Sequence, residues 1–406
     1  MINLKGKHVL FIVENLPVPF DRRVWQEATT LKESGMDVSI ICPMMKGYTS
    51  PYELLDGIEI YRHPLPLEAR GALGYLFEYG AAIYWEKKLA RQIYKKKPFD
   101  VIHGCNPPDL IYLTAMKYKK KGVKYVFDHH DINPELYIAK YNKKDFFYKL
   151  MCFFEKRTFK MADASIATNE SYKKIAINRG GMNPKLVQVV RSGPKLDRLK
   201  LQAPKNEFKK GKKYLLGYLG VIGEQEGIDL LLESMLVIVE KRKDVQLAIV
   251  GGGSDLEILK AMSQEKGLSK YVDFYGRVSD QKLLDILNTA DICVNPDKPT
   301  EMNNLSTMNK IMEYMALKKP IVQYDLKEGR FSAQKASLYA KDSIDFANHI
   351  MYLIDHPKIR NEMGQFGYSR VVNELSWEFE SKKLIKFYQQ LFINRANKFY
   401  QTKSSL

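Results

Sequence analysis

Cysteine is scarce in this chain and placed without pattern. Cys42, Cys105, Cys152 and Cys293 are scattered over 406 residues with no Cys-x-x-Cys pair. That excludes a disulfide scaffold and thiolate zinc ribbons, and the four read as buried free thiols of a reducing compartment. No apolar run approaches the ~20 residues that a membrane span needs. No signal peptide precedes the first strand-like run, so a cytoplasmic location is expected. Low-complexity sequence is absent. Helix-turn-helix, RNP-like and zinc patterns are missing too, which argues against a nucleic-acid partner.

What is present suits two α/β domains of ordinary size, and 45% hydrophobic residues supply full cores. Charge is lopsided. Of a formal +17, residues 1–200 contribute +13 (34 Lys/Arg against 21 Asp/Glu) and residues 201–406 contribute +4 (30 against 26). A basic first half fits an anionic partner such as a membrane surface or a phosphorylated molecule; it equally fits a solvated lysine-rich surface.

The chain opens as a βαβ unit. His8 to Val13 is continuously apolar, as in a strand buried on both faces. Prolines keep the loop 14–20 out of helix, Asp21 caps a helix over 22–33, and Gly35 closes it. The turn lacks a Gly-x-Gly-x-x-Gly fingerprint, so a dinucleotide is not expected there. Asn15, Asp21, Arg22 and Arg23 stand at a strand's carboxyl end, where open α/β sheets bind ligands; capping and surface roles remain open for them. A long connection is expected over 47–71, then a helix over 73–89 crowded with Tyr75, Phe77, Tyr79, Tyr84 and Trp85. That stripe suits a core face or a face meeting a lipid-linked molecule. Two further strands, 100–103 and 124–128, end in His103 with Asn106 beyond it, and in His129, His130 and Asp131. No third ligand stands at metal spacing. General-base or hydroxyl contact is the functional reading for these residues, and a capping Asp131 with stacked histidines the other.

The pattern restarts after a basic, polar stretch, 201–213, expected to be a linker. Strand-to-helix turns follow at Gly220–Gly227, at Gly251, Gly252 and Gly253, and at Gly276, Arg277 and Val278. Glycines in such turns let backbone amides approach a phosphate. The stretch 303–316 then places Asn304, Ser306 and Thr307 at a helix start and Met308, Ile311, Met312 and Met315 at helical spacing. A strand lies on either side of it, so its amino end faces the carboxyl edge of a parallel sheet, which suits an anion. Lys310 and Glu313, three apart, share one helix face; an ordinary core helix with a surface ion pair would look the same. Convergence of these turns points to a phosphorylated, nucleotide-like ligand.

Taken together, the residues from Asn15 to Pro17 and Phe20 to Trp25, Gly220 with Gly227, Val250 to Gly253, Gly276 to Val278 and Lys310 to Ala316 resemble the family 4 retaining glycosyltransferases. The resemblance covers nearly the whole chain. It implies the GT-B architecture, two Rossmann-like α/β domains facing across a cleft: an acceptor domain at 1–200, the linker 201–213, a donor domain at 214–375 and a helix at 376–398 crossing back. It implies a nucleotide-sugar co-substrate, usually UDP-linked, on the second domain. Glu313 would bind the ribose, Ser306 to Met308 with Asn304 would face the diphosphate and sugar, and Gly220, Gly252, Arg277 and Val278 would complete the donor site. His130, Asp21, Lys310 and Arg277 would form the catalytic set, with Asn15, Arg22, His103 and Asn106 at the acceptor.

The chain departs from the family at three positions. A glutamate eight residues before position 313 is replaced by Leu305, and an Arg and a Lys of the first turn by Val221 and Glu226. No Asp-x-Asp occurs, so no metal or other cofactor is expected, and protein groups would stabilise the leaving group. The expected activity is transfer of a sugar to a glycan or polyprenyl-linked acceptor in cell-surface polysaccharide assembly, with the inner membrane face as the expected place for such an acceptor. The alternatives are a nucleotide-sugar 2-epimerase on the same fold, or a non-catalytic protein binding membrane surfaces through the basic half.

Overall fold

In the computed structural model, residues 3–65 and 71–403 are described, without the side chains of 71–76 and 394–403. Tyr75, counted above in the aromatic stripe, lies outside the described side chains. The chain forms two compact units, Met1–Ser192 with Glu380–Leu406, and Gly193–Phe379.

The first unit is an eight-stranded sheet of β1 (His8–Val13), β2 (Asp37–Pro43), β3 (Tyr52–Leu55), β4 (Ile58–His63), β5 (Val101–Cys105), β6 (Lys124–His129), β7 (Ala164–Ala167) and β8 (Val187–Val189). The order is β3-β4-β2-β1-β5-β6-β7-β8. All neighbours run parallel except β3 on β4. β1 and β5 are fully buried, as their unbroken apolar runs require.

The second unit is a six-stranded parallel sheet of β9 (Tyr214–Leu219), β10 (Val245–Val250), β11 (Val272–Gly276), β12 (Ile292–Asn295), β13 (Ile321–Tyr324) and β14 (Ser337–Ala340). Its order is β11-β10-β9-β12-β13-β14, the doubly wound arrangement. Chain order reverses between β1 and β5 in one sheet and between β9 and β12 in the other. Ligands of such sheets bind outside the carboxyl ends of the strands at those reversals.

Two expectations change, and the bounds of a third element shift. Residues 47–71 are not a plain connection, because β3 and β4 form a hairpin there. Its turn is Asp56-Gly57, both left-handed with φ of 50° and 73°, the dipeptide that a two-residue hairpin turn favours. Residues 201–213 pack within the second unit, where Phe208 in a single turn, Asn206–Lys209, is buried in the core. The last helix is Trp377–Lys403, and from Glu380 it belongs to the first unit. There Tyr388 is fully buried against His103, their rings stacked at 6.2 Å.

Candidate functional site

The second unit assembles its site from backbone. The turns after β9, β10 and β11 are stitched edge to edge: Gly220 N donates to Val250 O (3.1 Å), Ile222 N to Gly252 O (3.1 Å) and Gly251 N to Gly276 O (3.0 Å). The fit leaves no room for side chains. A Cβ on Gly251, whose φ is 146°, would lie 1.7 Å from Gly220 O, and one on Gly253 would lie 2.1 Å from Ile222 O. The glycines thus serve turn-to-turn packing first, and the Gly220 amide expected to face a phosphate is already engaged. Arg277 lies across Gly252, its Cγ 3.3 Å from where a Cβ would stand. It is exposed, and among the described residues it makes no hydrogen bond or ion pair. Val278 is half-buried at the edge of the core.

Helix Asn309–Ala316 starts at Met308, an extended residue that gives no side-chain cap. The small polar residues ahead of it are used elsewhere. A short helix, Glu301–Leu305, intervenes; Ser306 Oγ donates to Met302 O (2.7 Å), and Asn304 Oδ1 accepts from Lys327 N (2.8 Å). Thr307 is half-buried beside them. Met308 cannot cap with its side chain, and Ile311 N donates to Met308 O (3.1 Å), so the first N–H groups of this helix are the ones placed to meet an anion.

Lys310 and Glu313 do not share one target. Lys310 turns back to the β9–β12 reversal, where Nζ lies 2.9 Å from Asp297 Oδ1 and 4.8 Å from the centre of the Tyr218 ring. Burial works against its charge, but Asp297 more than offsets this and raises its pKa. Glu226 stands nearby; burial raises its pKa, Lys310 opposes that and Asp297 adds to it. Glu313 is bonded instead to the Arg198 guanidinium, which also lies 3.9 Å from Asp280.

The first unit builds a different kind of site. Asp21 caps helix Arg22–Glu33, accepting from Val24 N at 3.1 Å, so it is committed to the fold. Asn15 and Arg22 are exposed at the same strand end. Arg23, one residue on, is buried and grips Asp128 through Nη2 (2.9 Å) and Nε (3.3 Å), while its Nη1 donates to Val190 O and Ser192 Oγ (both 3.0 Å). Glu27 Oε1 lies 2.9 Å from Arg23 Nη2. His130 Nε2 meets Asp128 Oδ2 at 2.5 Å. His103 is fully buried, stacked on Phe11 at 4.3 Å, with Nε2 3.2 Å from Asp128 Oδ2 and Nδ1 2.7 Å from Tyr388 Oη.

Burial would raise Asp128, but Arg23 and His130 hold it well below the usual carboxylate range. Burial pushes Glu27 well above that range, against Arg23 and with the Asp128 charge. Beside a fixed guanidinium, the two carboxyls are thus pushed in opposite directions, Asp128 toward its charged form and Glu27 toward its neutral one. Burial also lowers the His103 pKa, against Asp128. Asn106 is saturated: its Nδ2 donates to Asp109 Oδ1 (2.9 Å) and Asp131 O (2.7 Å), and its Oδ1 accepts from His130 N (2.6 Å) and Asp131 N (3.1 Å). Asn106 thus fixes the loop that carries His130, while His103, also expected at the acceptor, meets Asp128 and Tyr388. Two sets of possible metal ligands lie here, His103–Cys105–Asp128 and Glu27–Asp128–His130, each within 4.8 Å. Asp128 belongs to both and already carries Arg23, so a cation there would have to displace a guanidinium.

Sequence reasoning missed Arg198, Asp297, Glu27, Asp128 and Tyr388. Only Arg23 and Glu27, four apart on a helix, left a local signal.

The two halves match two family models, "Glycosyltransferase Family 4" over residues 21–198 and "Glycosyl transferases group 1" over residues 213–356. The capsular polysaccharide biosynthesis glycosyltransferase CapM of Staphylococcus aureus is 24% identical over 322 residues, 74% of this chain and 79% of that protein. Against three further glycosyltransferases, from Corynebacterium jeikeium, Mycobacterium leprae and Corynebacterium glutamicum, the match spans under half of their length (43%, 45% and 44%). Among solved structures, sucrose-phosphate synthase from Thermosynechococcus elongatus superposes with a TM-score of 0.77 at 17% identity, over 96% of this chain and all of that one. Anabaena HepE, solved with UDP and glucose, superposes with a TM-score of 0.71 at 13% identity, over 94% of this chain and 99% of its own. These likenesses fix the fold as GT-B.

Proposed function

We propose, for a chain that belongs to the family 4 glycosyltransferases, transfer of a sugar from a nucleotide-sugar to a hydroxyl of a growing glycan, with retention at the anomeric carbon. The observation that carries it is the second unit's carboxyl edge. Three glycine turns and an uncapped helix start converge there, with Arg277 exposed above them and Glu313 one turn into the helix. Backbone dipoles and a guanidinium held ready for the leaving diphosphate need no reorganisation as its charge develops, which is how such sites lower a barrier. UDP is our choice of carrier, because HepE was solved with UDP and with UDP-glucose. Cell-surface polysaccharide is our choice of product, by likeness to CapM. No metal is invoked, since the chain has no Asp-x-Asp to bridge one to a diphosphate.

His130, half-buried and hydrogen-bonded to Asp128, is the first-unit group we assign to the transferred sugar. A polyprenyl-linked acceptor at an anionic membrane surface fits that unit's surface. Phe77, Tyr84, Phe146, Phe147 and Phe153 are exposed there, among many lysines. No described helix is long and apolar enough to cross a membrane.

A thermal-shift titration tests the donor site. UDP raises the melting temperature of the wild type and leaves Glu313→Ala unmoved; equal shifts in both would remove the donor from this edge. Incubation with a panel of UDP-sugars, followed by mass spectrometry and NMR of the anomeric proton, then reads the sugar and the stereochemical outcome.

A further inference from the structure

The segment joining the two units supplies a residue that no turn or motif announces. Gly193 to Leu199 is clamped onto the second unit. Pro194 O accepts from Trp377 N (3.0 Å), Leu196 N donates to Glu378 Oε1 (3.3 Å), and Leu199 is buried in the core. At Gly193 a Cβ would meet Leu375 O at 2.2 Å, so the segment lies flush against the π-turn Val371–Leu375 and its successor. Arg198 is thereby delivered at a fixed point, and its guanidinium bonds Glu313 Oε1, while Lys310 pairs with Asp297. Glu313 is only 14% exposed and Arg198 27%, so the pair is shielded rather than a loose surface contact.

We propose that Arg198 is the positioning residue of the donor site: it fixes the Glu313 carboxylate in the orientation that accepts hydrogen bonds from the ribose hydroxyls of the nucleotide. This rests on the donor-site reading above. A carboxylate has about four acceptor positions, so a guanidinium on one oxygen does not use up its capacity to accept from hydroxyls. A charge-assisted bond from a guanidinium held at a fixed point restricts the carboxylate's rotation where a solvated Glu would swing freely. The cost of ordering Glu313 is met before the nucleotide arrives, and affinity rises by that amount. Lys310 has no part in this, because its ammonium is paired with Asp297.

The test separates orientation of Glu313 from direct contact with the ligand. Isothermal titration is run with UDP, GDP and ADP and with their 2′,3′-dideoxy forms, on wild type, Arg198→Ala and Arg198→Lys. Melting curves and circular dichroism confirm that the variants fold. With whichever ribonucleotide binds the wild type, Arg198→Ala weakens binding about tenfold, as loss of a hydrogen bond to a charged group predicts. Arg198→Lys recovers part of it. With the dideoxy form, wild type and Arg198→Ala bind alike within about twofold, because Glu313 then has nothing to accept from. An equal loss on both nucleotide forms would overturn the proposal while leaving the donor site standing. No binding of any of the three ribonucleotides to the wild type would overturn both.

Discussion

The two units place their charges in opposite ways. In the first, the ionisable side chains at the carboxyl edge point inward: Arg23, Glu27 and Asp128 are each at most 8% exposed and are bonded mainly to one another. In the second, the edge is made largely of backbone, with Arg277 exposed over Gly252, Arg198 on Glu313 and Lys310 turned in to Asp297. A buried charge network fixes the direction of the one group that emerges from it, His130. A backbone edge presents dipoles and leaves its free cation to the ligand. Arg23 on the first edge therefore holds the fold, whereas Arg277 on the second is left to what binds.

Removing Arg23 gives the largest effect that this contrast predicts. Arg23→Ala leaves Asp128 ionised and buried among two histidines, and breaking a buried pair by deleting one partner costs about 4 kcal/mol. Scanning calorimetry should show the transition of the first unit falling by many degrees and that of the second barely moving. A loss under about 1 kcal/mol would mean that the network is solvated in solution, and the contrast would fail.

The next effect is smaller and is read through pH. Glu14, at the end of β1, is 3% exposed, and neither carboxyl oxygen has a hydrogen-bond partner among the described residues. Burial, with Glu86 and Glu78 adding to it, pushes its pKa up to about 10. The folded chain therefore keeps a proton that the unfolded chain releases above the ordinary carboxylate range near 4.5. The stability tied to that proton is complete below this range and is lost as pH rises toward 10. The wild-type melting temperature should fall between pH 6 and 9, and Glu14→Gln, neutral throughout, should flatten the fall. Equal slopes would show that Glu14 is hydrated and ionised.

Much of this was legible in the chain and some was not, for identifiable reasons. Parallel strands declare themselves as unbroken apolar runs, so both sheets and their turns could be read from His8 to Val13 and from Val245 to Val250. The hairpin Tyr52–His63 was written in Asp56-Gly57 and in the alternation after Ile58, but a proline at each end made the region look like a loop. Pairings across sequence left no trace. Arg198 meets Glu313 over 115 residues, Arg23 meets Asp128 over 105, and His103 meets Tyr388 over 285. Local periodicity carries no information at that range. Lys310 and Glu313 show the same limit from the other side: spacing put them on one helix face, and tertiary partners then drew them apart.

The smallest stability effect is the sharpest test of the comparison. Arg277 is exposed and lies over a glycine, with no protein partner among the described residues, so Arg277→Ala should change unfolding free energy by no more than about 0.5 kcal/mol. If its charge is kept for the ligand, the same substitution should weaken nucleoside-diphosphate binding about tenfold, the scale of one charge-assisted hydrogen bond to a phosphate oxygen. Nucleoside binding should be untouched, because a nucleoside has no phosphate for the guanidinium to meet. Stability lost without binding lost would place Arg277 with Arg23, as a cation of the fold. Binding lost without stability lost is the outcome that a backbone-built edge requires.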